Sequence, residues 1–155
     1  MKLKLVQAHM ETARNYAELS YARRLHVGAI VVKDDRIISI GYNGMPAGWD
    51  NNCEDTVLKV VGVAPDGHNL VEPELKTKPE VLHAESNAIA KLAKSNESGL
   101  GADLFVTHAP CLDCAKLIYQ SGISRVWYGK AYRDNAGVQF LEKSGVIVTK
   151  VDTDD

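Results

Sequence analysis

The chain opens on an amphipathic pattern. In "MKLKLVQAHMETARNYAEL" charged residues surround an apolar stripe at Val6, Met10, Ala13 and Ala17, the three- and four-residue spacing of one helical face. "HVGAIVVKDDRIISIGYNG" then sets two β-branched runs on either side of Lys33, Asp34 and Asp35, which predicts an antiparallel hairpin ending in a Gly-Asn-Gly loop. Between 45 and about 80 the pattern fades. Pro46, Gly48, Gly62, Pro65, Gly67, Pro73 and Pro79 punctuate this stretch, and beyond "DTVLKVVGV" it reads as an irregular insertion that forms a lid or wall. Helical spacing returns from Leu82 to about Ser95 and is broken by "NESGLG". "ADLFVTHAP" follows as a strand, "CLDCAKLIYQSG" as a helix, "ISRVWYG" as a strand, "VQFLEKSG" as a helix and "VIVTKV" as a last strand. This alternation predicts parallel pairing through right-handed crossovers, hence a single three-layer α/β domain over residues 1–155 with a hairpin at one side. The acidic tail "DTDD" is expected to be solvated.

Composition narrows the picture modestly. A chain of 155 residues suits one domain with one core. No stretch approaches the roughly 20 continuous apolar residues of a membrane span, and the start suits a surface helix better than a secretory signal, so a cytoplasmic protein is expected. A net charge of −2 gives no support for a polynucleotide partner, whose affinity rests on Lys and Arg neutralising phosphates. Three cysteines, an odd number, point to metal binding or burial rather than a disulfide framework.

The chemistry concentrates in two motifs. Cys111 and Cys114 are three apart at a helix start, so both thiols face one ion, and Pro110 fixes the entry. The unpaired N–H groups and dipole of a helix N-terminus favour thiolate, the form that binds zinc. His83, at the beginning of its own helix, supplies a third ligand if the two helix starts point inward together. Three protein ligands leave a tetrahedral ion one open position, which is the catalytic arrangement, whereas a structural site closes it with another Cys or His. Cys53 lies in the insertion, and Cys53 with His68 offers only two ligands for a second metal, so one Zn²⁺ is expected. His83 and Glu85 diverge by roughly 200° around a regular helix. With His83 at the entry and Glu85 in the first turn, one binds metal and the other stands beside the open position as a base.

His83-Ala84-Glu85 followed by Pro110-Cys111-x-x-Cys114 matches the H-x-E and P-C-x-x-C signature of zinc nucleobase deaminases. From about Ala22 to Val148 the chain resembles the deoxycytidylate (dCMP) deaminases of the zinc-dependent cytidine/deoxycytidylate deaminase superfamily. The resemblance runs through "VGAIVV", "GYNGMPAG", "HAESNAI", "APCLDCAKLIYQSGI" and "YRDNAG" in that order. It implies a cytidine-deaminase-like fold: a mixed five-stranded sheet with an N-terminal antiparallel hairpin, parallel C-terminal strands and helices on both faces. It also implies hydrolysis of dCMP to dUMP and ammonia, supplying dUMP for thymidylate synthesis, with Glu85 moving protons and main-chain groups around Ala84 and Pro110 holding the pyrimidine.

By the same resemblance Asn43 is assigned to the sugar hydroxyl, with Gly41 and Gly44 allowing close approach; the plain reading of these residues is a turn. Arg24 and Arg133 are the phosphate candidates, and each is equally well read as a surface charge. Tyr132 packs beside the base or anchors its loop. The family further implies a homohexamer activated by dCTP and inhibited by dTTP, with Gly41, Tyr42 and Gly44 near the effector and Mg²⁺ accompanying its triphosphate. His9 and His26 read as structural histidines, His108 as a poorer ligand than His83, and Trp49, Trp127 and Tyr128 as packing residues. Two competing readings stand beside this one: a deaminase of dCTP, cytidine or another base, and a noncatalytic nucleotide-binding module with structural zinc.

Overall fold

The computed structural model describes residues 1–151, and the acidic tail at 152–155 lies outside the described residues. The elements run α1 (Leu3–Ala17), β1 (Gly28–Lys33), β2 (Arg36–Tyr42), β3 (Glu54–Val63), β4 (Asn69–Thr77), α2 (Ala84–Ala93), β5 (Asp103–His108), α3 (Leu112–Gln120), β6 (Arg125–Lys130), α4 (Ala136–Lys143) and β7 (Ile147–Lys150). Five strands form one sheet in the order β2-β1-β5-β6-β7. β1 is antiparallel to both β2 and β5, while β5, β6 and β7 are parallel. The expected mixed sheet is therefore present. The β1–β2 turn places Asp34 and Asp35 at φ 51° and 58°, the two left-handed positions that let a two-residue hairpin match the strand twist.

Alternation along the strands divides the interior into two layers. Ile30, Val32 and Phe105 point to one face, where Val6, Met10 and Ala13 of α1 cover them. Val31, Leu104, Val106 and Val126 point to the other, against Ala88 and Leu92 of α2, Ile118 of α3 and Leu141 of α4. With both faces covered, β1 and β5 are buried along almost their whole length, which explains why they read as continuous rather than alternating apolar runs. Trp127 stacks on Phe105 at 5.7 Å and donates its indole N–H to Asp103 at 2.9 Å, so it is a packing residue as expected. Trp49 is not: it is 56% exposed.

The insertion is also not irregular. β3 and β4 pair into a two-stranded antiparallel ribbon separate from the main sheet. Each residue that argued against a strand has a permitted place. The Lys78 N–H donates to the Cys53 carbonyl, and this register puts Leu58 and Pro73 in a pair that exchanges no ladder bonds, so the missing proline N–H costs nothing. Gly62 follows a bulge, and Gly67 sits in the connecting turn at φ 89°. Asp55 faces Lys76 and Lys59 faces Glu72 on one side of the ribbon; Leu58, Val60, Val71 and Pro73 share the other. The ribbon also separates Cys53 at its base from His68 at its tip by ten residues of strand, about 30 Å, so these two cannot share an ion.

Gly41 fixes where α2 lies. A Cβ there would stand 2.3 Å from the Ala84 carbonyl oxygen and 2.7 Å from the Ala88 nitrogen, whereas one at Gly44 would meet nothing within 4 Å. The close approach expected of Gly41 is thus to the helix that carries His83 and Glu85. Gly41→Ala is expected to cost about 1–3 kcal/mol by forcing β2 and α2 apart, and Gly44→Ala less than about 0.5 kcal/mol. Urea denaturation of both variants checks this; equal midpoints would remove Gly41 from the packing argument.

Candidate active site

Two helix starts define the site. His83 is the N-cap of α2 and Cys111 the N-cap of α3, both with extended backbone, and neither side chain caps its own helix. Ser, Thr, Asp or Asn at such a position folds back onto the helix N–H groups. An imidazole and a thiol project away instead, toward each other. Cys114 lies in the first turn of α3. The loop that presents Cys111 is seated by α4, since a Cβ on Gly137 would stand 2.1 Å from the Pro110 carbonyl oxygen and 2.8 Å from Cys111. Asp134 fixes the entry to α4 by accepting the Ala136 N–H at 2.9 Å. This is the physical content of "YRDNAG": it buttresses the cysteine loop.

The ligand atoms of His83, Cys111 and Cys114 lie within 4.8 Å of one another. His83 Nδ1 is 3.5 Å from the Cys111 sulfur and 3.3 Å from that of Cys114. A tetrahedral zinc bonded to sulfur at about 2.3 Å and nitrogen at about 2.0 Å holds such atoms about 3.5 Å apart, so the three residues fit the ion. Among the described residues this is the only such cluster, and the Glu85 carboxylate does not belong to it. Glu85 is buried in the first turn of α2, directly beside the cluster.

Burial pushes the Glu85 carboxyl up to about 7, against the pull of its own backbone N–H and of His83. Hydrogen bonds from Cys114 and His83 hold Cys111 down at about 4, while Cys114, donating to Cys111 and more deeply buried, is raised. His83 is raised, chiefly by its hydrogen bond to Cys111. His108 is lowered by burial, then by Lys130, and its Nδ1 lies 2.9 Å from the Thr107 hydroxyl; it lines the cleft outside the three-residue cluster.

Above the cluster opens a cleft of about 500 Å³ lined by Arg24, Asn43, Glu54, Thr77, Glu85 and Tyr132, among others. Among the described residues Arg24 is the only lysine or arginine lining it. Arg133 is exposed and does not line the cleft. Asn43 lines it, but its amide is already engaged: Oδ1 accepts the Val27 N–H at 2.8 Å and Nδ2 donates to the Leu25 carbonyl at 2.7 Å. Its first task is to clamp residues 25–27 to the end of β2. Ala84 and Pro110 are both buried, with their carbonyls turned to Gly41 and Gly137. A second cleft, of about 260 Å³, holds Tyr42, Gly44, Asn87 and Lys91 but not Gly41, and among the described residues no carboxylate lines it.

Sequence reasoning read the insertion as a lid or wall but missed the residues that the ribbon contributes. Glu54 and Thr77, directly opposite each other at its base, both line the cleft, with Val81 close behind. A glutamate in "NNCEDT" within a segment rich in proline and glycine carries no signal that separates it from a solvated charge. Its burial is decided entirely by the fold.

Comparison with known proteins agrees with this geometry. Residues 3–130 match the family described as the cytidine and deoxycytidylate deaminase zinc-binding region. ComE operon protein 2 of Bacillus subtilis (strain 168) is 35% identical over 152 residues, spanning 97% of this chain and 70% of that protein. The deoxycytidylate deaminase of Enterobacteria phage T4 is 37% identical over 134 residues, spanning 70% of this chain and 69% of that one. The crystal structure of dCMP deaminase from cyanophage S-TIM5 in complex with dCMP and dUMP superposes with a TM-score of 0.82 at 42% identity, covering 97% of this chain and 99% of that one.

Replacing Cys114 should lower metal content, and replacing Glu85 should leave it unchanged. Cys114→Ala is expected to lower bound zinc well below one ion per chain, whereas Glu85→Ala retains about one. Elemental analysis of the purified variants decides between them, and zinc loss in Glu85→Ala would make that carboxylate a ligand.

Proposed function

The chain belongs to the cytidine and deoxycytidylate deaminase family, and from that membership we propose that it hydrolyses the 4-amino group of dCMP, giving dUMP and ammonia. The observation that carries the reading is the convergence of His83, Cys111 and Cys114 beneath a cleft in which Glu85 is buried and which Arg24 lines. The relative from cyanophage S-TIM5, bound to dCMP and dUMP, supports that substrate.

His83, Cys111 and Cys114 would hold the zinc ion, which when bound would supply a Lewis acid that makes water nucleophilic at neutral pH. Glu85 takes a proton from the attacking water and delivers it to N3 of the pyrimidine; it then moves the second proton to the departing amine, so that water and dCMP become dUMP and ammonia. Backbone groups at Ala84 and around Pro110 flank the ligands and orient the ring. Asn43, clamped at Leu25 and Val27, presents its remaining lone pair and N–H to the sugar. Arg24 uses one guanidinium N–H on the Thr77 hydroxyl at 3.1 Å and offers the others to the 5′-phosphate. Tyr132 lies at the same rim. Arg133 stands one residue further along that loop, as a second and more distant cation.

The proposal extends to a homo-oligomer and to control by dCTP and dTTP, for which the second cleft is the supporting feature. It shares Asn43 with the first and carries Lys91, whose ammonium lies 5.8 Å from the centre of the Tyr42 ring. A noncatalytic zinc module is disfavoured, because a carboxylate buried beside a set of only three ligand residues is costly and serves no structural purpose there.

Ammonia release from dCMP and deoxycytidine, measured side by side, tests the substrate. The expected catalytic efficiency is higher for dCMP by at least about tenfold, and Arg24→Ala removes most of that difference. Equal efficiencies in the wild-type chain overturn the phosphate assignment. Glu85→Ala should lower turnover by about two to four orders of magnitude on either substrate.

A further inference from the structure

Glu54 is a buried carboxylate of the cleft that the proposed reaction does not use. Its side chain is 1% exposed, and an unpaired carboxylate at such a position costs several kcal/mol. The surrounding bonds show how that cost is met. Glu54 Oε2 accepts the backbone N–H of Arg23 at 2.9 Å and that of Arg24 at 3.0 Å. Oε1 makes no hydrogen bond, but it lies 3.5 Å from Nε of Arg23, whose guanidinium also donates to the Glu54 carbonyl at 3.1 Å and to Asn52 at 3.0 Å. Two adjacent arginines thus have different fates. Arg23 turns to the base of the ribbon and neutralises the carboxylate, while Arg24 is held by its backbone and turned toward the cleft, where Thr77 is its partner.

We infer that Glu54 is a positioning residue that sets substrate specificity by gripping the Arg23–Arg24 backbone and so aiming Arg24 at the anionic group of the substrate. The inference rests on the reading of Arg24 as the phosphate cation. Three features favour it over a merely structural role. The carboxylate spends one oxygen on two consecutive N–H groups, which fixes the direction of the peptide between the arginines. Its charge is balanced locally by Arg23, so Arg24 keeps its own charge for a ligand rather than losing it to a buried partner. Glu54 and Thr77 are also cross-strand neighbours, so the backbone and the guanidinium of Arg24 are both held by one rung of the ribbon. The insertion serves as a mount for a specificity residue on the body of the domain.

The experiment compares dCMP and deoxycytidine on the zinc-loaded full chain. Glu54→Ala is expected to raise KM for dCMP about tenfold with kcat within about twofold, and to leave catalytic efficiency on deoxycytidine unchanged. Glu54→Gln keeps an oxygen for both N–H groups and is expected to recover most of the loss. Thr77→Val should shift KM for dCMP in the same direction by a smaller factor, which keeps the inference open to refutation if the alanine variant folds poorly. An equal loss on both substrates, in kcat or in KM, would show general damage to the cleft and overturn the inference, as would wild-type kinetics in both Glu54 variants. If Arg24→Ala leaves the preference for dCMP intact, the phosphate reading falls and this inference with it. If Arg24→Ala abolishes the preference and Glu54→Ala does not, the inference alone falls.

Discussion

Two helix starts aimed at one point are the constraint on which the rest of this molecule depends. An α-helix leaves its first N–H groups without partners, and short polar N-caps usually satisfy them. Here α2 and α3 begin with His83 and Cys111, which leave their own helices uncapped and meet in the space between. Such an arrangement holds only if both helices are fixed by packing elsewhere. Gly41 lets α2 settle against β2, Gly137 lets α4 press on the loop before α3, and the layer of Ala88, Leu92, Ile118 and Leu141 locks the helices to the sheet. The site is therefore bought with close packing at some distance from it.

The cleft contains two buried carboxylates whose surroundings assign them different work. Glu54 faces two backbone N–H groups and an arginine, which hold it in place. Glu85 is desolvated beside a histidine and two cysteines, and its carboxyl is raised to about 7. Identical side chains differ here in the number of donors that face them. The cysteines divide in the same way: Cys111 receives hydrogen bonds and is lowered, Cys114 gives one and is raised.

Most of the layered architecture was legible because it follows from periodicity. The stripe at Val6, Met10, Ala13 and Ala17 is the buried face of α1, and the runs around Ile30 and Phe105 are central strands. The ribbon was not legible, since Pro73, Gly62 and Gly67 count against a strand until the register shows that one lacks a ladder partner, one follows a bulge and one turns the chain. The usual fate of large aromatics predicts packing for Trp49, which in the fold is 56% exposed. Gly41 was read as making room for a ligand, when the room is taken by the first turns of α2.

Local spacing was enough to bring His83, Cys111 and Cys114 into one cluster with Glu85 beside it. His83, Glu85, Cys111 and Cys114 lie within a turn of a helix start, where spacing along the chain dictates spacing in space. Tertiary structure decided the wall opposite them: that Arg24 enters the cleft and Arg133 does not, that Asn43 is a clamp, and that Glu54 lies buried beneath two arginines. Those outcomes depend on contacts between residues some 15 to 50 positions apart, such as Arg24 with Glu54 and Thr77. No local rule of periodicity or capping reaches that far, because the energy of such a contact exists only once the intervening chain has folded.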